Sequence, residues 1–371
     1  MIEPGLTVRR ARTVALVFEG PQLVAHNFLS RTTAALSPAA VAVLANAADW
    51  LSVPALSDLL GRAFGLPDPT GEIEALLAAR LLVSAGSEAA ERDAEYESDW
   101  EWGLITGLYH FGSKNQEYMP PEAVPLFLQE RMATSAPTEL HRSNAGYEAV
   151  VGLEPPNGNG VLDLMRRRRS YRGFDTGASI ELGDLRDCLF AGLGITGFAR
   201  VPFEDEELPL KMTPSGGGRN PYEGYVIARH VEDLPPGVYH YSGAENSLGL
   251  VNDAALPEFH ELLGGQTWMD GAAVLILLVA NMRRTMRKYA FPTAYRVVLV
   301  EAGHIAQNIV LAATERGLAS VPTCAIADAA VEAMLGTDGL LQSVTYAVAV
   351  GRRTKPSSVD LKRVRPNPAA G

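Results

Sequence analysis

The sequence predicts an α+β fold: a layered body with a mixed sheet flanked by helices, preceded by a small winged-helix-like module. Three observations carry this. Between Gly160 and Arg353, strand-period and helix-period apolar patterns alternate along the chain. The run Ala272 to Ala280 is apolar throughout, long enough for a buried central strand and too short to cross a bilayer. A long helical pattern, Ala294 to Arg316, then stops at Gly317, the residue type that best ends a helix.

Each element has a local reason. Thr13 to Glu19 alternates like a strand. Ser37-Pro38 and Ser52-Val53-Pro54 each offer a hydroxyl N-cap followed by proline, which suits a first helical turn. Thr70 leads a third helix with Glu72 and Glu74 near its positive end, and Leu81 to Ser84 reads as a returning strand. These elements make residues 1–86 a winged-helix-like module. It has no basic recognition helix, so it is expected to dock a peptide or protein rather than DNA. Residues 87–159 read as an acidic linker and covering segment. Glu88 to Glu101 marks its boundary, and Trp100, Trp102, Tyr109, His110 and Phe111 are expected to pack on the second domain. The body, residues 160–353, begins with helices at Asp163 to Arg169 and Glu181 to Leu193. Strands follow at Tyr222 to Arg229, Val238 to Tyr241 and Val344 to Val350. Residues 354–371 read as an extended tail.

With 47% hydrophobic and 20% charged residues over 371 positions, the chain can bury a sizeable core. A net charge of −11 argues against a nucleic-acid partner, because such binding is dominated by excess Lys and Arg neutralising phosphates. Cys188 and Cys324 are the only cysteines and are far apart, which excludes a cysteine-rich zinc or disulfide framework. Together with an N-terminus unlike a secretory signal, this predicts a soluble cytoplasmic protein with no membrane partner.

Against that acidic background, Arg166-Arg-Arg-Arg-Ser-Tyr-Arg172 stands out. Guanidinium forks suit phosphate oxygens in two-point contacts, and Ser170 adds a hydroxyl donor. Some forty residues on, Thr213-Pro-Ser-Gly-Gly-Gly-Arg-Asn-Pro221 lets backbone approach a flat ligand where any Cβ would collide. The pair is a recipe for a phosphorylated cofactor; a solvated helix end beside an ordinary loop would carry the same letters.

Other motifs fail on context. Gly192-Leu-Gly-Ile-Thr-Gly197 matches the dinucleotide fingerprint but follows a helix, where the mechanism needs a strand. Glu301 and His304 have di-iron spacing without a second pair, and His260-Glu261 lacks the second zinc-protease histidine, Gly264 standing in its place. Ser215 has Thr213 where a nucleophile elbow has glycine. No metal site is expected.

Three ordered segments resemble the nitroreductase-like flavoproteins, in particular the SagB-type dehydrogenases that oxidise azolines in peptides. They are Arg168-Arg-Ser-Tyr-Arg-Gly-Phe174, Pro214 through Tyr225 continuing over Leu234 to Tyr241, and Ala294 through Asn308 running on to Pro322. The resemblance covers residues 100 to 353. It implies FMN at a homodimer interface, with Arg168, Arg169, Ser170 and Arg172 on phosphate and ribityl oxygens. It also implies Pro214, Ser215 and Gly216 against the ring, the Pro322-Thr323-Cys324 turn near flavin N5, and Arg352 or Arg353 closing on the phosphate. The N-terminal module resembles domains that grip a precursor's leader peptide.

The resemblance further singles out Lys288-Tyr289 as catalytic. Oxidising an azoline removes a Cα proton and a ring hydride; the flavin takes the hydride, and the protein supplies the base. A tyrosine beside an ammonium, or a desolvated lysine, can be that base, and either assignment stands open. With Arg283, Arg284, Arg287 and Arg296 around it, Lys288 could equally lie in a solvated basic loop. His304 and Gln307 read as packing or dimer-contact residues. The expected function is FMN-dependent oxidation of thiazolines or oxazolines in a ribosomally synthesised peptide. O2 is the expected acceptor and a cyclodehydratase the expected partner. The alternatives are an NAD(P)H-driven flavin reductase of dehydroamino acids, quinones or nitro compounds, and a non-catalytic peptide-binding scaffold.

Overall fold

The structure, a computed structural model, describes residues 5–66, 68–134, 160–201 and 207–354. The last part of the expected linker, 135–159, and the expected tail beyond residue 354 lie outside the described residues. The chain divides into two compact units. The first contains Met1–Lys114, Met282–Val298 and Leu340–Gln342; the second contains Asn115–Asn281, Leu299–Gly339 and Ser343–Gly371.

The first unit opens with β1 (Thr7–Arg10) and a meander of β2 (Val14–Glu19), β3 (Gln22–Asn27) and β4 (Thr32–Ala35). Then come α1 (Pro38–Asn46), β5 (Leu51–Ser52), α2 (Val53–Phe64), α3 (Thr70–Ala78) and β6 (Leu82–Ser84). The Ser37 hydroxyl accepts from the Ala40 N–H at 3.0 Å and the Ser52 hydroxyl from the Ala55 N–H at 3.3 Å, so both expected caps form. At α3 the cap differs: Asp68 Oδ1 accepts from the Thr70 N–H, and Thr70 is the first helical residue. β1 is the centre of an antiparallel sheet, β5-β1-β6, covered by Val43, Leu44, Leu56, Leu60 and Ile73. The acidic stretch folds as α4 (Glu88–Asp99), because Asp93 finds buried donors. Arg9 Nη1 donates to it at 2.6 Å, and the Arg12 N–H and the Thr13 hydroxyl add two more bonds. α5 (Gly103–Gly112) completes this stretch. Trp100, Trp102, His110 and Phe111 pack around Phe28, Tyr96 and Tyr295, all within the first unit.

In the second unit, α6 (Val124–Thr134), α7 (Gly160–Arg167) and α8 (Leu182–Leu193) precede a hairpin of β7 (Ile195–Ala199) and β8 (Leu208–Lys211). The main sheet is built from β9 (Tyr222–Ala228), β10 (Gly237–Ser242), β11 (Ser247–Asn252), β12 (Val274–Asn281), β13 (Ala319–Thr323) and β14 (Gln342–Gly351), in the order β11-β10-β9-β12-β14-β13. Its registered ladders are antiparallel, the arrangement that short hairpin connections permit. An isolated parallel bridge joins Ile180 and Val231. The fingerprint-like glycines end a helix and enter β7, and Gly192 is required by packing, since a Cβ there would meet Ile309 at 2.7 Å.

The long helix, Thr293–Glu315, is long and apolar enough by length and composition to cross a membrane. Ala302, Ile305, Ala306, Ile309 and Val310 on its inner face are buried in the protein, as in a core helix. Its outer face exposes Val300, Gly303, His304 and Gln307, which share one stripe at helical spacing.

Candidate active site

The arginine segment leaves α7 at Arg168, whose N–H closes the last turn onto the Leu164 carbonyl. From there it is tied to the end of the sheet. The Tyr171 N–H donates to the Ser320 carbonyl at 3.1 Å, Phe174 bridges Arg353, and the Thr354 N–H donates to the Gly173 carbonyl at 3.0 Å. Arg353 is thereby brought beside the arginine run, its guanidinium 4.2 Å from the Tyr171 ring centroid. Arg172 lies 5.3 Å from the Trp268 ring, and Ser170 is exposed.

Charge pairing sorts these arginines. Arg166 meets Asp163 at 3.4 Å, Arg167 meets Glu315 at 3.0 Å, and Arg352 donates to the Ser179 carbonyl at 2.9 Å with Glu181 at 3.8 Å. Among the described residues, no carboxylate lies within ion-pair distance of Arg168, Arg169, Arg172 or Arg353. Arg169 donates only to the carbonyls of Arg166 and Arg168. Like charges gathered without acidic partners repel one another, so the cluster favours an anion.

The Gly-rich segment is anchored by two polar residues of the long helix, here α11 following the short α9 (Phe259–Leu262) and α10 (Met282–Met286). The Ser215 hydroxyl donates to Glu301 Oε2 at 2.8 Å, and Ser215 Oγ in turn accepts the Asn220 N–H at 2.8 Å. Asn308, two turns on, donates to the Thr213 hydroxyl at 3.1 Å. Gly217 and Gly218 have φ of 63° and 69°, a conformation that side chains resist. Ser215 therefore turns its hydroxyl toward protein; Pro214 is exposed, and Ser215 and Gly216 are half-buried. Glu301 is buried, and burial pushes its carboxyl above the ordinary value. The Ser215 hydroxyl and the Gly216 N–H pull it the other way.

Pro322 and Thr323 end β13, opposite Val348 and Ala347. The Thr323 hydroxyl accepts from the Ala325 N–H at 3.0 Å, fixing the turn at the exposed Cys324. Arginine segment and Gly-rich loop do not meet along α11. Arg167 bonds Glu315 near one end and Ser215 bonds Glu301, about 21 Å apart at 1.5 Å per residue.

Lys288 and Tyr289 belong to the first unit. Both N–H groups donate to the Thr285 carbonyl, and the Lys288 ammonium lies 5.7 Å from the Tyr289 ring centroid. Lys288 is exposed and Tyr289 half-buried. Sequence reasoning missed the roles of Glu301, Asn308 and Trp102. The usable signal for Glu301 was a carboxylate inside an otherwise apolar helix.

A model of the nitroreductase family matches residues 165–352. The protein MJ1384 of Methanocaldococcus jannaschii, which bears a nitroreductase name, is 33% identical over 169 residues, covering 45% of this chain and 79% of that protein. The trifolitoxin-processing protein TfxB of Rhizobium leguminosarum bv. trifolii is 32% identical over 148 residues, 38% of this chain and 39% of TfxB. Among solved structures, the E. coli microcin synthetase McbBCD complex with truncated pro-MccB17 matches at 19% identity and a TM-score of 0.47. That match covers 65% of this chain and 89% of the matched chain.

Proposed function

Because this chain belongs to the nitroreductase family, whose members are flavin-binding oxidoreductases, we propose that it is an FMN-dependent dehydrogenase of ribosomally made peptides, oxidising thiazolines or oxazolines to azoles. The observation that carries the cofactor assignment is the group of guanidiniums with no carboxylate partner among the described residues, Arg168, Arg169, Arg172 and Arg353. The donor set fits a phosphate, with the Ser170 hydroxyl beside it. Arg352, held by Ser179 and Glu181, is the less available of the two terminal arginines. Pro214, Ser215 and Gly216 offer the ring a backbone surface, since the Ser215 hydroxyl serves Glu301. Pro322, Thr323 and Cys324 offer the backbone of a strand end. Support for a peptide substrate comes from the likeness to TfxB, named for processing trifolitoxin.

Bound there, FMN would provide a two-electron acceptor for the hydride lost from the azoline CH2, and O2 would restore its oxidised form. The chain's own contribution is the proton. Lys288 or Tyr289 takes the Cα hydrogen, acidified by its neighbouring carbonyl and C=N, and loss of one proton and one hydride leaves the aromatic ring.

A second copy completes this site. Glu315 and Glu301, which hold Arg167 and Ser215, stand about 21 Å apart along one helix, and the outer stripe Val300, Gly303, His304 and Gln307 offers a face for a symmetry mate. The winged-helix-like module takes the leader segment, a cyclodehydratase supplies the azoline, and the free thiols suit the cytoplasm. A second reading, reduction of a small nitro compound or quinone by NAD(P)H, draws on the likeness to MJ1384.

Purified protein is expected to be yellow, with roughly one FMN per subunit. Incubation with a cyclised peptide should remove about 2 Da per ring, read by mass spectrometry. Lys288→Ala and Tyr289→Phe should keep the colour and lose that change. A gain of the same mass with NADPH would replace the dehydrogenase by the reductase. Peptide binding by a colourless protein that takes up no FMN would leave only a scaffold.

A further inference from the structure

The first unit carries a second layer of support for the Lys288-Tyr289 pair. Trp102 is fully buried, and its indole N–H donates to the Tyr289 carbonyl at 2.8 Å across a sequence separation of 187 residues. Because the Tyr289 N–H bonds the Thr285 carbonyl at 3.0 Å, both backbone polar groups of Tyr289 are occupied. Two further ties join the same stretches. Arg283 donates to Asp99 at 2.9 Å, and His110 Nδ1 lies 2.9 Å from the Tyr295 hydroxyl. The Trp102 ring is itself held edge-on by Trp100 and Tyr295, each at 5.7 Å. The Thr106 hydroxyl, donating to the Trp102 carbonyl at 2.9 Å, fixes its backbone. An indole with no rotameric freedom is a rigid donor, and a rigid donor fixes where the Tyr289 backbone sits.

We infer that Trp102 is a positioning residue for Lys288 and Tyr289, so that the stretch from Asp99 to His110 is part of the reaction machinery and not only a cover over the core. The inference rests on the proposed role of that pair. It has a consequence for chain architecture: the module assigned to leader binding and the loop assigned to proton removal belong to one compact unit. Removing the chain through Trp102 would strip the loop of its Tyr289 tie.

Trp102→Phe deletes the N–H while keeping an aromatic ring. In the full-length protein, FMN content is expected to stay near wild type, with the thermal midpoint lowered by a few degrees because the Tyr289 carbonyl loses its buried donor. Amide hydrogen exchange should rise over 286–292, and kcat for azole formation should fall between about tenfold and a hundredfold with KM little changed. Combined with Lys288→Ala, the Trp102→Phe loss should vanish, because Trp102 acts through the pair. Unchanged exchange over 286–292 would overturn the inference whatever the activity. A loss that multiplies with Lys288→Ala would also overturn it. Full activity of both Lys288→Ala and Tyr289→Phe would instead remove the base assignment, and the exchange measurement would still decide whether Trp102 orders the loop. If Trp102→Phe does not fold, Tyr295→Phe removes the His110 tie and should raise exchange in the same loop; no rise would count against the inference.

Discussion

Ser215 donates its hydroxyl hydrogen to the buried carboxylate of Glu301 at 2.8 Å, and its oxygen takes the Asn220 N–H at the same distance. One side chain thus closes the Gly-rich loop on itself and fastens it to α11. The loop can face a flat ligand because the Ser215 hydroxyl is engaged behind it.

Breaking that latch should loosen the loop. Glu301→Ala leaves Ser215 and the Gly216 N–H without their acceptor, a cost of about 1–3 kcal/mol for buried groups. FMN affinity should fall in a fluorescence titration, with Glu301→Gln intermediate. The pH dependence has a definite sign. Burial raises the Glu301 carboxyl above 4.5, so the folded protein holds that proton more tightly than the unfolded chain. The associated stability is present below 4.5 and is lost as pH rises through the folded value. Glutamine does not titrate, so the melting temperature of Glu301→Gln relative to wild type should improve as pH rises above 4.5. A pH-independent difference would contradict the account.

Arginine pairing sets a contrast in cofactor binding. Arg172→Ala and Arg353→Ala should each weaken FMN binding about tenfold to a hundredfold, the worth of one charge-assisted contact. Arg167→Ala removes a guanidinium already paired with Glu315 and should leave FMN affinity close to wild type. Equal losses in all three would point to bulk charge instead of a site.

Asp93 anchors the first unit. Both it and Arg9 are buried, and it accepts from Arg9, Arg12 and Thr13. Asp93→Ala should cost about 3–5 kcal/mol, because it strands a buried guanidinium. Urea denaturation with Arg9→Met/Asp93→Leu as the paired variant should recover much of that loss.

The two thiols should behave differently. Burial pushes Cys188 up to about 12, while Cys324 is exposed. Iodoacetamide at neutral pH should modify Cys324 in the native protein and Cys188 only after denaturation, read by peptide mass mapping. Bound FMN should slow the first reaction if the Pro322–Cys324 turn lies beside it.

Val300, 52% exposed on the outer stripe of α11, tests the second copy. Val300→Asp should shift the protein toward monomer in light scattering and lower FMN content in parallel. A monomeric protein with full FMN occupancy would show that one chain suffices.

Much of this was legible beforehand because its causes are local. Ser37 and Ser52 cap helices with their own hydroxyls, Gly317 takes the positive φ that ends α11, and the unbroken apolarity of Val274 to Ala280 needs a strand covered on both faces. Glu88 to Glu101 misled for the opposite reason. Its composition is that of a solvated boundary, and Arg9, Arg12 and Thr13, far away in sequence, turn Asp93 into a core residue.

By itself the sequence determined the helix caps, the central strand, the arginine cluster and the glycines of the turn, since each depends on a few adjacent residues and the torsions they allow. Only the tertiary structure decided which arginines stay unpaired, that Ser215 serves Glu301, and that Trp102 holds Tyr289. Those are long-range contacts, and their partners are selected by how strands and helices pack rather than by anything a neighbouring residue can encode.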